Sequence, residues 1–110
     1  MNFLFGKKQP ISALAELLED GRAVMNQELK KAKYNQYAGA EPLLEILVRV
    51  FPPNEAPFEA RMKAGLSKAY LLTAGVRVQV KFEAGKPQSV VLDDEIQTIL
   101  ERNPQLSKSS

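Results

Sequence analysis

Cysteine, histidine and tryptophan are all absent from this chain of 110 residues. Without cysteine there is no disulfide framework, no thiol nucleophile and no thiolate metal site, which fits a reducing cytoplasm. The absence of histidine is the sharper constraint. Histidine is the side chain whose ordinary pKa lies near neutrality and is the commonest metal ligand. Ser-His-Asp, Cys-His and imidazole–zinc sites therefore cannot be built from this chain alone. Catalysis would fall to carboxylates, lysine, tyrosine or serine, and no acid–base pair shares a loop. No loop has the Asp-x-Asp-x-Asp-Gly spacing of a calcium site, and Gly6-Lys7-Lys8 lacks the pattern of a phosphate loop. The chain reads as non-enzymatic, with no cofactor and no metal.

Long apolar runs are missing too. Nothing approaches the ~20 residues of a membrane span. Phe3-Leu4-Phe5 precedes Lys7 and Lys8, the reverse of a signal peptide. Residues 1–9 read as an arm that either tucks Phe3 and Phe5 onto the core or contacts a partner or a membrane surface. Strong charge of one sign is also lacking, the net charge being +2. Residues 93–110 hold Asp93, Asp94, Glu95 and Glu101 against Arg102 and Lys108, so the remainder is mildly basic. That is weak for a nucleic-acid-binding surface, where a dense basic patch is expected.

What is present is one domain's worth of chain, 45% hydrophobic and 25% charged, an ordinary soluble composition. The domain is placed at residues 10–103, with a polar tail over 104–110. Its clearest element is a hairpin. Val76, Val78, Val80 and Phe82 alternate with Arg77, Gln79 and Lys81, the period of a strand with one wet face. Glu83-Ala84-Gly85-Lys86-Pro87 breaks the pattern, and Val90-Val91-Leu92 resumes it. Leu43 to Phe51 is apolar on both parities and predicts a central strand, or one packed against a helix. Three prolines between Pro52 and Pro57 force a reversal. Phe58 to Leu66 alternates cleanly and predicts the partner strand. Ser67 to Ala74 crosses over, with Tyr70, Leu71 and Leu72 expected inside on a helical turn.

At the other end of the domain, Ile11, Leu14, Leu17 and Leu18 form a helical stripe after Pro10, so the spacing predicts a helix over 10–19 closed by Gly21. Residues 22–37 pull two ways. Asn26 to Lys33 has good helix propensity. No apolar stripe persists, however, and Ala23, Met25 and Leu29 share a strand parity. The balance favours a strand from Arg22 to about Lys31, then a turn over Tyr34 to Pro42. After Leu92, Asp93 or Asp94 is placed to cap a helix carrying Ile96, Ile99 and Leu100, ended by Asn103-Pro104. The expected fold is mainly β, an α+β arrangement: a small curved antiparallel sheet or partly open five-stranded barrel with helices at both ends.

Gly21-Arg22-Ala23, Ala40-Glu41-Pro42-Leu43, Val50-Phe51-Pro52-Pro53, Ala56-Pro57-Phe58-Glu59-Ala60, Ala74-Gly75-Val76-Arg77-Val78-Gln79-Val80 and Val90-Val91-Leu92-Asp93 together resemble a family of small bacterial β-barrel domains of unknown function, over roughly residues 21–93. The resemblance implies an oligonucleotide/oligosaccharide-binding-like (OB-like) barrel and no activity, so no catalytic residue is carried over.

Three groups are candidates for contact. Arg61 and Lys63 on one strand, with Arg77 and Lys81 on another, would track a single-stranded nucleic acid if they aligned, with Tyr34, Tyr37 or Tyr70 stacking bases. The same side chains serve equally as a solvated face that discourages edge pairing. Asp93-Asp94-Glu95 would hold a hard cation, or simply favour a helix N-terminus. Lys30, Lys31 and Lys33, followed by Tyr34 and Tyr37, form a basic run suited to an acidic lipid, a nucleic acid or an acidic partner, or to a polar edge strand leading into a loop. The expectation overall is a non-catalytic protein-interaction or structural module, self-associating or docking through Phe3, Leu4 and Phe5. Weak, sequence-independent nucleic-acid binding is the alternative.

Overall fold

The structure is a computed structural model that describes residues 9–32 and 43–106, the side chains of 31 and 32 excepted. Five strands close into a barrel: β1 (Ile11–Leu17), β2 (Leu43–Phe51), β3 (Phe58–Gly65), β4 (Arg77–Glu83) and β5 (Lys86–Leu92). Their order around the ring is β1-β2-β3-β5-β4, with β4 returning to β1. All neighbours are antiparallel except β3 and β5, which run parallel. Helix α1 (Gly21–Ala32) joins β1 to β2, a 3-10 turn (Leu66–Leu71) joins β3 to β4, and α2 (Ile96–Arg102) follows β5. The mainly β class, the five strands and the flanking helices are as the sequence predicts.

Two elements exchange types. The helix expected over 10–19 is strand β1. Its odd positions, Ile11, Ala13, Ala15 and Leu17, also form an unbroken apolar parity, and these face the core. Two periods fit this segment, and tertiary pairing decides between them. A closed ring needs a strand hydrogen-bonded on both sides, and β1 pairs in register with β4 from Ile11↔Phe82 to Glu16↔Arg77 and with β2 from Leu14↔Phe51 to Leu17↔Val48. Ala13 and Ala15 suit the inner side, where small residues fit the narrow bore among Val48, Val50, Val78 and Val80.

The strand expected from Arg22 is helix α1. Its inward stripe is the buried Gly21 with the half-buried Val24, Met25 and Glu28, at i, i+3, i+4 and i+7. A glycine and a glutamate belong to that stripe, so counting apolar residues alone misses it. Gly21 opens the helix instead of closing one. It lies so close to the 3-10 turn that its N–H donates to the Leu72 carbonyl at 2.6 Å. A β-carbon there would sit 2.7 Å from the Ala69 carbonyl oxygen.

The rest follows the expected pattern. The Phe51–Phe58 reversal carries Asn54 at φ 86°, in the left-handed region that asparagine tolerates. The hairpin tip turns at Gly85, φ 76°. Leu71 and Leu72 are buried as expected, but Tyr70 is not: it is 49% exposed on the outward side of its turn. Residues 34–42, expected as a turn, lie outside the described residues. Pro104–Leu106 forms a short 3-10 turn with Leu106 against the core, and residues 107–110 of the expected tail lie outside the described residues.

Leu71, Leu72 and Ile99 plug the end of the barrel where β4 begins. Gly21→Ala forces the Ala69 backbone away from α1. It is expected to lower stability by about 1–3 kcal/mol, read as a reduced urea midpoint at unchanged slope. An unchanged midpoint would show that the helix–turn approach is looser than described.

Candidate binding surfaces on the barrel wall

The strands are unequal in length, and side chains finish the ladders where strands stop. Beyond Leu17, β1 no longer covers β2, and the Glu19 carboxylate accepts the Leu47 N–H at 3.0 Å. Beyond Leu92, β5 no longer covers β4. There the Asp94 carboxylate accepts the Gln79 N–H at 2.9 Å. Asn103 brackets Arg77, its Oδ1 accepting the Arg77 N–H and its Nδ2 donating to the Arg77 carbonyl. The same Nδ2 also donates to the Ile99 carbonyl, tying α2 to the barrel.

This accounts for the acidic run. Asp94 is buried, 3.6 Å from Arg102. Asp93 faces Lys81 at 3.7 Å. The capping role expected of these acids is not what they do: Glu95 occupies the N-cap position of α2 without a side-chain hydrogen bond. Among the described residues no three acidic side chains converge on a point.

The basic residues expected to align fall into two groups. Arg77 lies in a row of alternating charge, Arg77↔Glu16↔Arg49↔Glu59, that wraps three seams of the barrel. Within it Arg49 and Glu59 are 2.9 Å apart. Lys63 and Lys81 share another row, each registered opposite Val91 of the intervening β5. Arg61 stands two residues from Lys63 on β3. So Arg61, Lys63 and Lys81 gather and Arg77 does not. Their field is diluted. Glu45 is registered opposite Lys63, and the Lys63 ammonium donates to the Gln88 carbonyl at 2.8 Å. That contact spans a seam where β3 and β5 register at one pair only. Tyr34, Tyr37, Lys33, Phe3, Leu4 and Phe5 lie outside the described residues; Lys30 is exposed on α1.

A second surface lies on the outer side of β1 and β2. Leu14 and Phe51 are opposite one another in the ladder, 41% and 37% exposed. With Ser12, Ala13, Pro53 and Arg77 they line an open groove of about 350 Å³. The sequence signals half of it, since Phe51 falls on the outward parity of β2. Leu14 stays hidden while its segment reads as a helix, because a helical stripe places it inside.

Among the described residues no helix is long and apolar enough to cross a membrane. Asp94→Ala leaves the Gln79 N–H without its buried acceptor and Arg102 without its partner. A loss of about 1–3 kcal/mol is expected by chemical denaturation, with α2 amides exchanging faster; full stability would mean that water replaces the carboxylate. Comparison of the chain with known family models, with curated proteins and with solved structures finds no match, so the fold and these surfaces carry the functional reading.

Proposed function

We propose that this chain is a non-catalytic binding module whose barrel engages a protein partner through the outer face of β1 and β2. The observation that carries the reading is the Leu14–Phe51 pair. Two large apolar side chains sit side by side, with Arg49 and Arg77 close by, whereas the other exposed apolar groups of the strands, Leu43 and Val91, stand apart from the pair. Contiguous apolar surface rimmed by polar groups marks contact sites on soluble domains. Arg77 on the rim is of a residue type enriched in interfaces. A second copy of the chain is the first partner to test, as self-association would cover the same pair.

The ring order and the parallel β3–β5 step favour an OB-like description, and barrels of that type bind along strands 2 and 3. The gathering of Arg61, Lys63 and Lys81 beside that face supports a second reading, weak binding of single-stranded nucleic acid. Its signature is affinity that falls steeply with salt and is lost in Arg61→Ala with Lys81→Ala.

A photo-crosslinking residue at Leu14 tests the first reading in cells that express the chain. A discrete protein adduct is expected, lost on Phe51→Asp and absent when the crosslinker stands at Lys30. Light scattering then tells whether the adduct is a second copy. No discrete adduct, or an adduct to nucleic acid, would overturn the protein-partner reading.

A further inference from the structure

Seen from outside, the β1–β2 seam is a ladder of facing side chains. Leu14 is registered opposite Phe51, and Glu16 opposite Arg49. One step on, the Leu18 N–H donates to the Leu47 carbonyl, which carries the ladder past the end of β1. An apolar pair thus stands on either side of a pair of opposite charge. Leu14, Phe51 and Arg49 are exposed, and Glu16, Leu18 and Leu47 are half-buried. One nitrogen of the Arg49 guanidinium holds Glu59, yet the side chain keeps 47% exposure and has further N–H donors to spare.

The pattern fits a copy of itself. When two identical faces meet, the two-fold axis lies in the plane of contact, and each residue meets the one mirrored across that axis on the second copy. An axis laid along the β1–β2 seam sets Leu14 on Phe51, Glu16 on Arg49 and Leu18 on Leu47 of the second copy. Symmetry makes each contact occur twice. An axis laid across the strands, between Leu14 and Glu16, sets Leu14 on Glu16 and Phe51 on Arg49 instead, covering both charges with apolar groups. The first arrangement has no mismatched pair. Arg77 and Glu59, one strand further out on β4 and β3, mirror each other across the same seam and fall at its rim as the wall curves away. A face with one charge of each sign, placed symmetrically about a seam, selects for its own image and not for a partner of a single sign.

We infer that, given the contact face proposed above, its occupant is a second copy of this chain, in an isologous dimer whose two-fold axis runs along the β1–β2 seam. Leu14 and Phe51 form the apolar centre, and Glu16 and Arg49 set the orientation. A face two strands wide is a small interface, so the dimer is a weak one that forms as concentration rises.

Sedimentation of the purified full chain from about 1 to 500 µM is expected to show monomer passing to dimer, with Phe51→Asp monomeric throughout. Charge reversal then tests the axis. Glu16→Arg sets arginine on arginine and Arg49→Glu sets glutamate on glutamate, so each variant alone is expected to dimerise at least about tenfold more weakly. An equimolar mixture of the two is expected to form a heterodimer within about threefold of the wild-type affinity, because every charge then meets its opposite. Misfolding does not produce such a restoration. A wild-type chain that stays monomeric overturns the inference; a discrete adduct to a different protein at Leu14 in cells would then leave the contact face standing, and no adduct would sink both. A mixture of folded variants that associates no better than either alone overturns the axis. Should a reversal fail to fold, the exposed Phe51→Asp site decides: a dimer that survives this substitution lies elsewhere on the molecule and overturns the inference.

Discussion

Everything in this molecule hangs on the seam between β1 and β4. These strands lie more than sixty residues apart in sequence, yet they register over six consecutive pairs. Closing that seam turns a meander into a ring and removes two free edges at once, the strongest protection a small sheet has against pairing with other chains. It also explains the composition of β1. A strand that must fit between two others around a narrow bore can carry only small inward groups over its middle, and Ala13 and Ala15 are those groups. Large residues gather on the two strands beside it: Leu44, Ile46, Val48 and Val50 on β2, and Val78, Val80 and Phe82 on β4.

Closure creates a second requirement. Strands of seven to nine residues cannot all end level, so backbone donors are left at the stepped ends. A buried N–H without a partner costs on the order of 1–3 kcal/mol. Here side chains from the segments that follow the strands meet these steps. Glu19, just past β1, serves Leu47; Asp94, just past β5, serves Gln79; and Asn103, at the end of α2, serves Arg77, while Asp20 accepts the Ala74 N–H in the turn before β4. These polar residues thus hold the helices and turns against the barrel while completing its hydrogen bonding. Asp94 and Asn103, the two buried polar side chains among the described residues, do so from either side of α2.

The central strands and the hairpin were legible because their apolar parity is unambiguous and their turns are marked by proline and glycine. β1 and α1 were not. Alanine contributes little to either period, and it carries helix propensity into a segment that pairing requires to be extended. In α1 the contact face includes Gly21, which matters for its lack of a side chain, a property invisible to a hydrophobic count. The site was legible in fragments. Arg61 and Lys63 emerge together from the alternation of β3, but which strand lies beside them depends on the β3-β5-β4 order, and no local pattern encodes a parallel crossover. The same order separates Arg77 from its expected companions and puts it in a row of alternating charge. The exposed Leu14–Phe51 pair required the register of two strands, one of them assigned to the wrong type.

The ring is tested most directly by residue-resolved hydrogen exchange of β1. The Leu17 N–H donates to the Val76 carbonyl, and strand alternation turns the Ala13 and Ala15 amides toward β4 as well, while the Glu16 and Leu18 amides face β2. A closed barrel predicts that both sets exchange slowly, through global unfolding. Fast exchange at Ala13, Ala15 and Leu17 beside slow exchange at Glu16 and Leu18 would mean an open sheet with β4 detached from β1, and would contradict the account.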